Sequence, residues 1–426
     1  MNGSALLVRQ PPASWPEAET AGPAKAEIVL DVSRLLSRVL RDAPTGIDRV
    51  EMAYALRLAR TPGRRVAFAA VHPAGPYGRL PRQAALDFVH ETAERWTTGG
   101  GPRRKLAAMA EALVRLSRLP PLPAARQAGR PRAVLQVSPH HLHRPELVGR
   151  KLRAERARFV CMVHDLIPIE FPEYARPGGD ALHQRRMETI ARYADGVVAV
   201  SEATRRAVLP YLDARRPAVS VISAGLGIDG GEEPAVSPGA DATGPGHMVM
   251  LGTIEPRKNH ALVLNVLRQL AQERGPAATP RLYLVGARGW ESENVRDLLE
   301  RSAALKPVVA EANGLSDNAV RGLLRGARAL LAPSFAEGYG LPVAEALSLG
   351  TPVICSDIPA HREVGGDAPD YLDPMDGPAW RTAILDYANP RSARRRAQMS
   401  RIGHWRPPSW DAHLSAVLDF VDSVCR

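Results

Sequence analysis

Two carboxylates stand eight positions apart across a glycine-rich turn in the last third of the chain. They are Glu337 and Glu345, within the segment Ser334-Phe-Ala-Glu-Gly-Tyr-Gly-Leu-Pro-Val-Ala-Glu345. The apolar run 329–332 before this segment predicts a buried strand, and Pro342 suits the first position of a helix. The pattern therefore places Glu337 on the loop after a strand and Glu345 about one turn into the following helix.

The start of this predicted helix could bind an anion between the two carboxylates. The backbone amides of Gly340, Leu341 and Val343 should point out of the helix start, where a phosphate binds well. Carboxylates on either side could accept hydrogen bonds from sugar hydroxyls. This combination is what a pocket for a nucleotide sugar requires.

Further motifs make the chain resemble the family 4 retaining glycosyltransferases of the GT-B fold. Besides the glutamate pair, the matching elements are Gly252-Thr-Ile-Glu-Pro-Arg-Lys-Asn259 and Val163-His-Asp-Leu-Ile-Pro168. The element Thr45-Gly-Ile-Asp-Arg-Val50 resembles bacterial polysaccharide mannosyltransferases of that family. The resemblance covers roughly residues 28–425, and it implies an α/β fold with two Rossmann-like domains facing across a cleft.

The resemblance also implies roles for single residues. It assigns the nucleotide ribose to Glu345, and contact with the donor sugar and its developing charge to Glu337. It assigns the positioning of donor and acceptor to His164. Each residue also has a plainer structural alternative. Glu345 could be an acid stabilised by the helix dipole, Glu337 an ordinary loop glutamate, and His164 a histidine bonded to the backbone.

Two adjacent cations are predicted to bind the donor diphosphate. Arg257 and Lys258 follow a strand and the turn at Gly252, and a guanidinium fork beside a point-charge ammonium suits a diphosphate that gains charge as it leaves. Solvation of a loop is the alternative for such a pair. Because no Asp-x-Asp element ends a strand, we expect neither a metal nor any cofactor beside the nucleoside diphosphate sugar.

Two residues are predicted on the acceptor side of the cleft. Gly46 would let the backbone approach a phosphate or the acceptor closely, and Asp165 follows His164 at a strand end. The chain departs from the family at Gly46, because the family usually has more glycines in the turn that contains this residue. Thr45 and Asp48 are predicted to form a capping box at the start of the next helix.

Bulk properties limit the classes of partner and compartment. A chain of 426 residues favours two domains, and its net charge of +11 indicates an anionic partner. Only 5% of the residues are aromatic and no nucleic-acid motif occurs, so an anionic membrane face is favoured over nucleic acid. Arginine enrichment from a GC-rich genome is the alternative. The three scattered cysteines, with neither a secretory signal nor a membrane span, predict a cytoplasmic protein that could lie on the inner membrane face.

Alternating strands and helices predict the organisation of the chain. We predict a disordered tail over 1–26, an acceptor domain over 27–225, a linker over 226–246, and a nucleotide-sugar domain over 247–408. A helix over 409–426 would return to the first domain. A basic amphipathic helix over 103–118 could contact a membrane or simply face solvent. Three histidines on a loop are treated as lining the acceptor cleft, namely His140, His141 and His143.

The sequence thus predicts transfer of a hexose, with retention, from a nucleoside diphosphate sugar. GDP-mannose is favoured as donor and a glycan, or a polyprenyl-diphosphate-linked glycan of cell-surface polysaccharide synthesis, as acceptor. The alternatives are a sugar-nucleotide epimerase of the same architecture and a non-catalytic membrane-associated scaffold. A Rossmann oxidoreductase is disfavoured, because residues 31–50 lack the Gly-x-Gly-x-x-Gly pattern.

Overall fold

The computed structural model describes residues 25–39, 41, 43–72, 75–98, 131–215, 219–229 and 246–426. The predicted tail over 1–26 and the linker over 226–246 lie mostly outside these residues, and the basic helix over 103–118 lies wholly outside them. Within the described part, the strands form two separate sheets. This confirms the predicted α/β architecture of two Rossmann-like units.

The first sheet has the strand order β3-β2-β1-β4-β5-β6-β7. Its strands are β1 (Glu27–Asp31), β2 (Val66–Val71), β3 (Tyr77–Leu80), β4 (Arg132–Gln136), β5 (Arg158–Val163), β6 (Gly196–Ala199) and β7 (Ser220–Ser223). All neighbours pair in parallel except β2 and β3, which are antiparallel. β3 is antiparallel to β2 because the link over 72–76 is too short for a parallel crossover.

The second sheet is parallel throughout, with the order β10-β9-β8-β11-β12-β13. Its strands are β8 (His247–Leu251), β9 (Arg281–Val285), β10 (Val309–Ala312), β11 (Ala329–Ala332), β12 (Val353–Ser356) and β13 (Asp370–Leu372). The predicted strand over 329–332 is confirmed. The two edge strands were not anticipated, because they are short and only partly buried and so lack an apolar run.

Helices connect the strands and cover the sheets. In the first half these are α1 (Ser33–Ser37), α2 (Gly46–Leu58), α3 (Arg82–Thr98), α4 (Pro145–Glu155), α5 (Ile167–Glu170), α6 (Gly179–Tyr193) and α7 (Glu202–Asp213). In the second half they are α8 (His260–Arg274), α9 (Glu293–Arg301), α10 (Asp317–Arg325), α11 (Leu341–Ser348), α12 (Pro359–Gly365), α13 (Gly377–Ala388), α14 (Ala393–His404) and α15 (Trp410–Cys425). None of these described helices is both long enough and apolar enough to cross a bilayer.

The last helix returns to the first sheet. α15 contacts β4, β5 and β6, and its buried face includes Leu414, Val417 and Val421. A side chain at Gly196 of β6 would lie 2.8 Å from the ring of Phe420, so the helix packs closely on this strand. The end of the chain therefore belongs to the core of the first half.

The capping box predicted at the start of α2 is confirmed. Thr45 accepts a hydrogen bond from the backbone of Asp48, and the Asp48 carboxylate accepts from the backbone of Thr45 at 2.8 Å. Arg34 on α1 donates to the same carboxylate at 2.6 Å, and both side chains are buried. These bonds hold the first turn of α2, including Gly46, beside α1, the helix that follows β1.

Candidate active site

Glu337 lies on the turn between β11 and α11, where its carboxylate is held by two cations. Arg257 Nη1 donates to Oε2 at 2.6 Å, and Lys258 Nζ donates to Oε1. Ser334 Oγ donates a further hydrogen bond to Oε1 at 2.8 Å. The Glu337 side chain is only 8% exposed, so its position is fixed by these three donors.

These contacts decide the ionisation of Glu337. Burial by itself would raise its pKa, but the charges of Arg257 and Lys258 outweigh burial and hold the pKa well below its usual range. Burial would lower the pKa of Arg257, and the surrounding carboxylates, Glu337 foremost, raise it instead. Glu337 is therefore a carboxylate, and Arg257 is a cation.

A second acidic side chain, Glu255, forms an ion pair with Arg257. Glu255 is 5% exposed, and its Oε1 lies 2.6 Å from Arg257 Nε in an ion pair that lacks the alignment of a hydrogen bond. Burial raises the pKa of Glu255, and the charges of Arg257 and Lys258 oppose that rise. The predicted diphosphate cations thus already have acidic partners, and an incoming phosphate would share them with Glu337.

Glycines give the loop before Arg257 its close packing. Gly252 has a φ of +135°, in the region that favours glycine, and a side chain there would lie 3.3 Å from Lys258 Cε. At Gly286 a Cβ atom would stand only 2.0 Å from the Gly252 carbonyl oxygen. The residues that directly follow β8 and β9 therefore approach each other closely beside Lys258.

The start of α11 has Gly340 as its N-cap, with a φ of +98°. The amide of Val343 donates to the Gly340 carbonyl at 3.0 Å. The prediction that this amide points outward is wrong at Val343, because the first helical turn closes on itself. The amides of Gly340 and Leu341 remain the candidates for binding an anion.

Glu345 lines a cavity of about 190 Å³ between the two halves of the protein. Arg49 of α2 also lines it and donates two hydrogen bonds to Asp317 of α10, at 2.9 Å and 2.7 Å. Burial raises the pKa of Glu345, and the charge of Arg49 offsets only part of that rise. Glu337 instead faces a separate, smaller cavity, which Lys258 also lines.

His164 follows β5 and lies against the loop that carries Glu337. Its Nε2 hydrogen-bonds the carbonyl of Val137 at 2.8 Å, so this nitrogen carries the proton and Nδ1 is left as an acceptor. Burial lowers the pKa of His164, which favours the neutral ring. The alternative of a histidine bonded to the backbone therefore holds for Nε2 of His164, and Nδ1 remains able to accept a hydrogen bond.

The two halves meet closely at this point. A Cβ atom at Gly338 would lie 1.9 Å from the His164 carbonyl oxygen, and Ser201 Oγ donates to the Gly338 carbonyl at 2.6 Å. A Cβ atom at Gly46 would lie 3.2 Å from Leu341 Cδ1, on the other side of the cleft. The residues predicted for the acceptor side therefore face those predicted for the donor side.

Asp165 lies close enough to Arg257 to affect its ionisation. Its Oδ1 accepts a hydrogen bond from the Ile167 amide at 3.2 Å, and its charge contributes to raising the pKa of Arg257.

Sequence reasoning missed Ser334, Glu255 and the Arg49–Asp317 pair. Ser334 and Glu255 lie within the motifs 334–345 and 252–259, and Arg49 belongs to the Thr45–Val50 element. The sequence therefore contains these residues in recognisable motifs, but it does not show which partners they contact.

Among the residues that the structure describes, no group of three or more His, Cys, Asp or Glu side chains is arranged to hold a metal ion. Metal independence nevertheless stays a prediction, since it concerns the reaction.

Family models match most of this architecture. A model for "Family 4 Glycosyltransferase in conflict systems" matches residues 148–358, and one for "Glycosyltransferase Family 4" matches residues 54–229. Both matches include the region of His164 and Asp165, and the first also includes Arg257, Glu337 and Glu345. The chain belongs to the family 4 glycosyltransferases.

Individual relatives of this family 4 glycosyltransferase agree with that assignment. The chain is 29% identical over 273 residues to a serotype-specific mannosyltransferase, WbdA, of Escherichia coli, with 58% of this chain and 33% of the relative covered. It is 35% identical over 169 residues to the O-antigen chain mannosyltransferase B of Escherichia coli, with 39% and 43% covered. The matches thus span less than half of either relative.

A solved structure shows the same fold over nearly the whole chain. Sucrose-phosphate synthase from Thermosynechococcus elongatus superposes with a TM-score of 0.61 at 15% identity, and 94% of this chain and 99% of that chain are covered. At this identity the likeness concerns the fold alone. It agrees with the GT-B arrangement of two Rossmann-like domains across a cleft.

Proposed function

We propose that this family 4 glycosyltransferase is a retaining hexosyltransferase that transfers mannose from GDP-mannose to a glycan acceptor. The observation that carries this proposal is the position of Glu337, ionised between Arg257 and Lys258 beside the start of α11. This group stands opposite His164, across the junction of the two halves. Glu345, in the adjoining cavity, would accept hydrogen bonds from the ribose hydroxyls.

The charges favour a direct displacement on one face of the sugar. A carboxylate whose pKa is held far down by two cations is a weak nucleophile, so Glu337 is suited to stabilise positive charge at the anomeric carbon. The acceptor oxygen would form its bond to that carbon as the bond to the diphosphate breaks. The acceptor proton would pass to the departing phosphate oxygen, whose new charge Arg257 and Lys258 would bind.

The choice of mannose rests on the relatives and on one motif. The two curated relatives are named mannosyltransferases, and the Thr45–Val50 element resembles proteins of that type. A net charge of +11 supports an acceptor that is anionic or held at an anionic membrane surface, such as a polyprenyl-diphosphate-linked glycan. We further propose that the reaction needs no divalent metal.

Calorimetric titration with GDP, UDP and ADP tests the donor. We expect GDP to bind most tightly, and tighter UDP binding would discard mannose as the sugar. Incubation of GDP-mannose with mannose oligosaccharides should then give an α-linked product, identified by one-bond carbon–proton coupling in NMR. A β-linked product would discard retention, and a free epimer formed without acceptor would identify an epimerase.

Two controls connect the reaction to the site. Glu337→Ala should abolish transfer, and unimpaired transfer would place the site elsewhere. The exposed Arg268 of α8 offers a matched surface control, since Arg268→Gln should transfer normally. Transfer in excess EDTA should equal that in its absence, and a loss restored by Mg²⁺ would contradict metal independence.

A further inference from the structure

Arginines gather at the carboxyl ends of two strands in the first sheet. Arg34 and Arg38 lie on and directly after α1, which follows β1, while Arg176 and Arg186 lie between β5 and β6. Only β4 separates β1 from β5 in the sheet. Because parallel strands end at the same edge, the two segments that carry these arginines both begin there, at the edge where open α/β sheets bind their ligands.

The acidic partners of this cluster are insufficient for it. Arg34 is 9% exposed and occupies Asp48 at 2.6 Å, whereas Arg38 Nε lies 3.7 Å from the same carboxylate oxygen, beyond hydrogen-bond distance. The Nε atoms of Arg38 and Arg186 are buried and have no hydrogen-bond acceptor within the described residues. Buried charged donors that lack acceptors are costly, so an anion from outside would satisfy them.

Mutual repulsion within the cluster is also apparent. Burial lowers the pKa of Arg38, and the charges of Arg34, Arg41 and Arg176 lower it further, while Asp48 opposes them. Burial likewise lowers the pKa of Arg186, together with the charges of Arg176 and Arg34, and Asp165 opposes them. The edge of the first sheet therefore has an excess of positive charge that an anion would relieve.

The arginine cluster lies next to the loop that carries Glu337. The ring of Tyr174, two residues before Arg176, stacks on Phe335 of the second half at 5.4 Å between centroids. Trp290 Nε1 donates to the Tyr174 carbonyl at 3.0 Å, and the Phe335 amide donates to the Arg257 carbonyl at 2.8 Å. The segment leading to Arg176 is thus fixed next to the donor cations.

We propose that Arg34, Arg38, Arg176 and Arg186 form a binding site for an anionic group of the acceptor, a phosphate or a carboxylate. This proposal rests on the proposed function and names the chemistry of its second substrate. The site belongs to the first sheet, whereas Arg257 and Lys258 at the expected donor diphosphate belong to the second. Guanidinium forks match the oxygens of phosphate and carboxylate groups.

The test uses the full chain and inorganic pyrophosphate as the probe. With the donor site saturated by GDP, calorimetry should detect one further pyrophosphate site. In the double variant Arg38→Gln, Arg186→Gln, this affinity should fall about 100-fold or more, since two charge-assisted hydrogen bonds are lost. GDP affinity should stay unchanged in that variant, and Arg268→Gln should bind pyrophosphate normally.

A variant that lacks the donor-site cations allows pyrophosphate binding to be measured without GDP. In a variant with Arg257→Gln and Lys258→Gln, pyrophosphate binding without nucleotide should persist and should again weaken when Arg38 and Arg186 are also replaced. No pyrophosphate binding by this protein and by GDP-saturated wild type would overturn the proposal. So would equal binding with and without the two arginines, or a GDP affinity that falls with the pyrophosphate affinity. Failure of GDP-mannose to bind would instead discard only the proposed donor.

Competition identifies the source of the anion. Geranyl diphosphate represents a lipid-linked diphosphate, mannose 6-phosphate a phosphorylated glycan, and methyl glucuronide a carboxylated glycan. Displacement of pyrophosphate by one of these, in wild type but not in the double arginine variant, would support the site and assign its ligand. Failure of all three to displace pyrophosphate would overturn its role in acceptor binding.

Discussion

Gly338 offers a direct test of whether the contact between the two halves is needed for catalysis. A Cβ atom at this position would lie 1.9 Å from the His164 carbonyl oxygen, whereas the backbone of Gly338 is not in the left-handed region. Gly338→Ala is therefore compatible with the local backbone and incompatible with the closed cleft. The substitution separates the effect of closure from the effect of local folding.

The magnitude follows from the overlap. An ordinary carbon–oxygen contact of about 3.2 Å requires the loop with Glu337 to retreat by about 1.3 Å from His164. A displacement of about 1 Å in a catalytic constellation costs on the order of 100-fold in rate. We expect Gly338→Ala to lower the turnover rate for sugar transfer by about that factor, with little change in nucleotide affinity.

The assay combines initial rates of nucleotide release from GDP-mannose with small-angle X-ray scattering in the presence of GDP. Wild type should be compact and active, and Gly338→Ala should have a larger radius of gyration and a low rate. Gly403→Ala on α14 is the matched control, because a Cβ atom there meets nothing within 4 Å. A variant as compact as wild type and active within twofold would refute the reasoning.

Further predictions concern charged groups. Lys258→Gln should lower transfer by roughly 100-fold or more in initial-rate assays, because Glu337 keeps one cation and the leaving phosphate loses another; a rate within threefold of wild type would contradict this. Since burial raises the pKa of Glu345, calorimetry at a series of pH values should show GDP affinity rising with pH through a value above 4.5. Glu345→Gln should reduce that dependence to the part that comes from the GDP phosphate, whose second pKa is about 6, and an equally pH-dependent variant would place the titrating group elsewhere. Burial raises the pKa of Glu51, which accepts from the Leu35 amide at 3.0 Å, to about 8, so the native state holds a proton that the unfolded chain releases near 4.5. In urea unfolding at a series of pH values, the free energy of unfolding of wild type relative to that of Glu51→Gln should fall as pH rises from 4.5 to 8, by up to roughly 5 kcal/mol; a difference that stays constant over that range would exclude a neutral Glu51.

Local patterns in the sequence were enough to predict the elements that carry the site. The apolar run 329–332, the glycine at 340 and Pro342 gave the strand, turn and helix around Glu337 and Glu345, because such signals act over a few neighbouring residues. The Thr45–Asp48 capping box was predictable for the same reason. The family motifs then supplied the two-domain architecture that short-range signals do not encode.

The sequence by itself determined which side chains stand at the ends of strands and the starts of helices. Only the tertiary structure decided which of them pair: Arg257 with Glu337 across 80 positions, and Arg49 with Asp317 across 268 positions. The physical reason is that such pairs depend on how two complete sheets and their helices pack, to within about an ångström. The same packing closes the first turn of α11 on Val343 and leaves the Nε atoms of Arg38 and Arg186 without acceptors among the described residues.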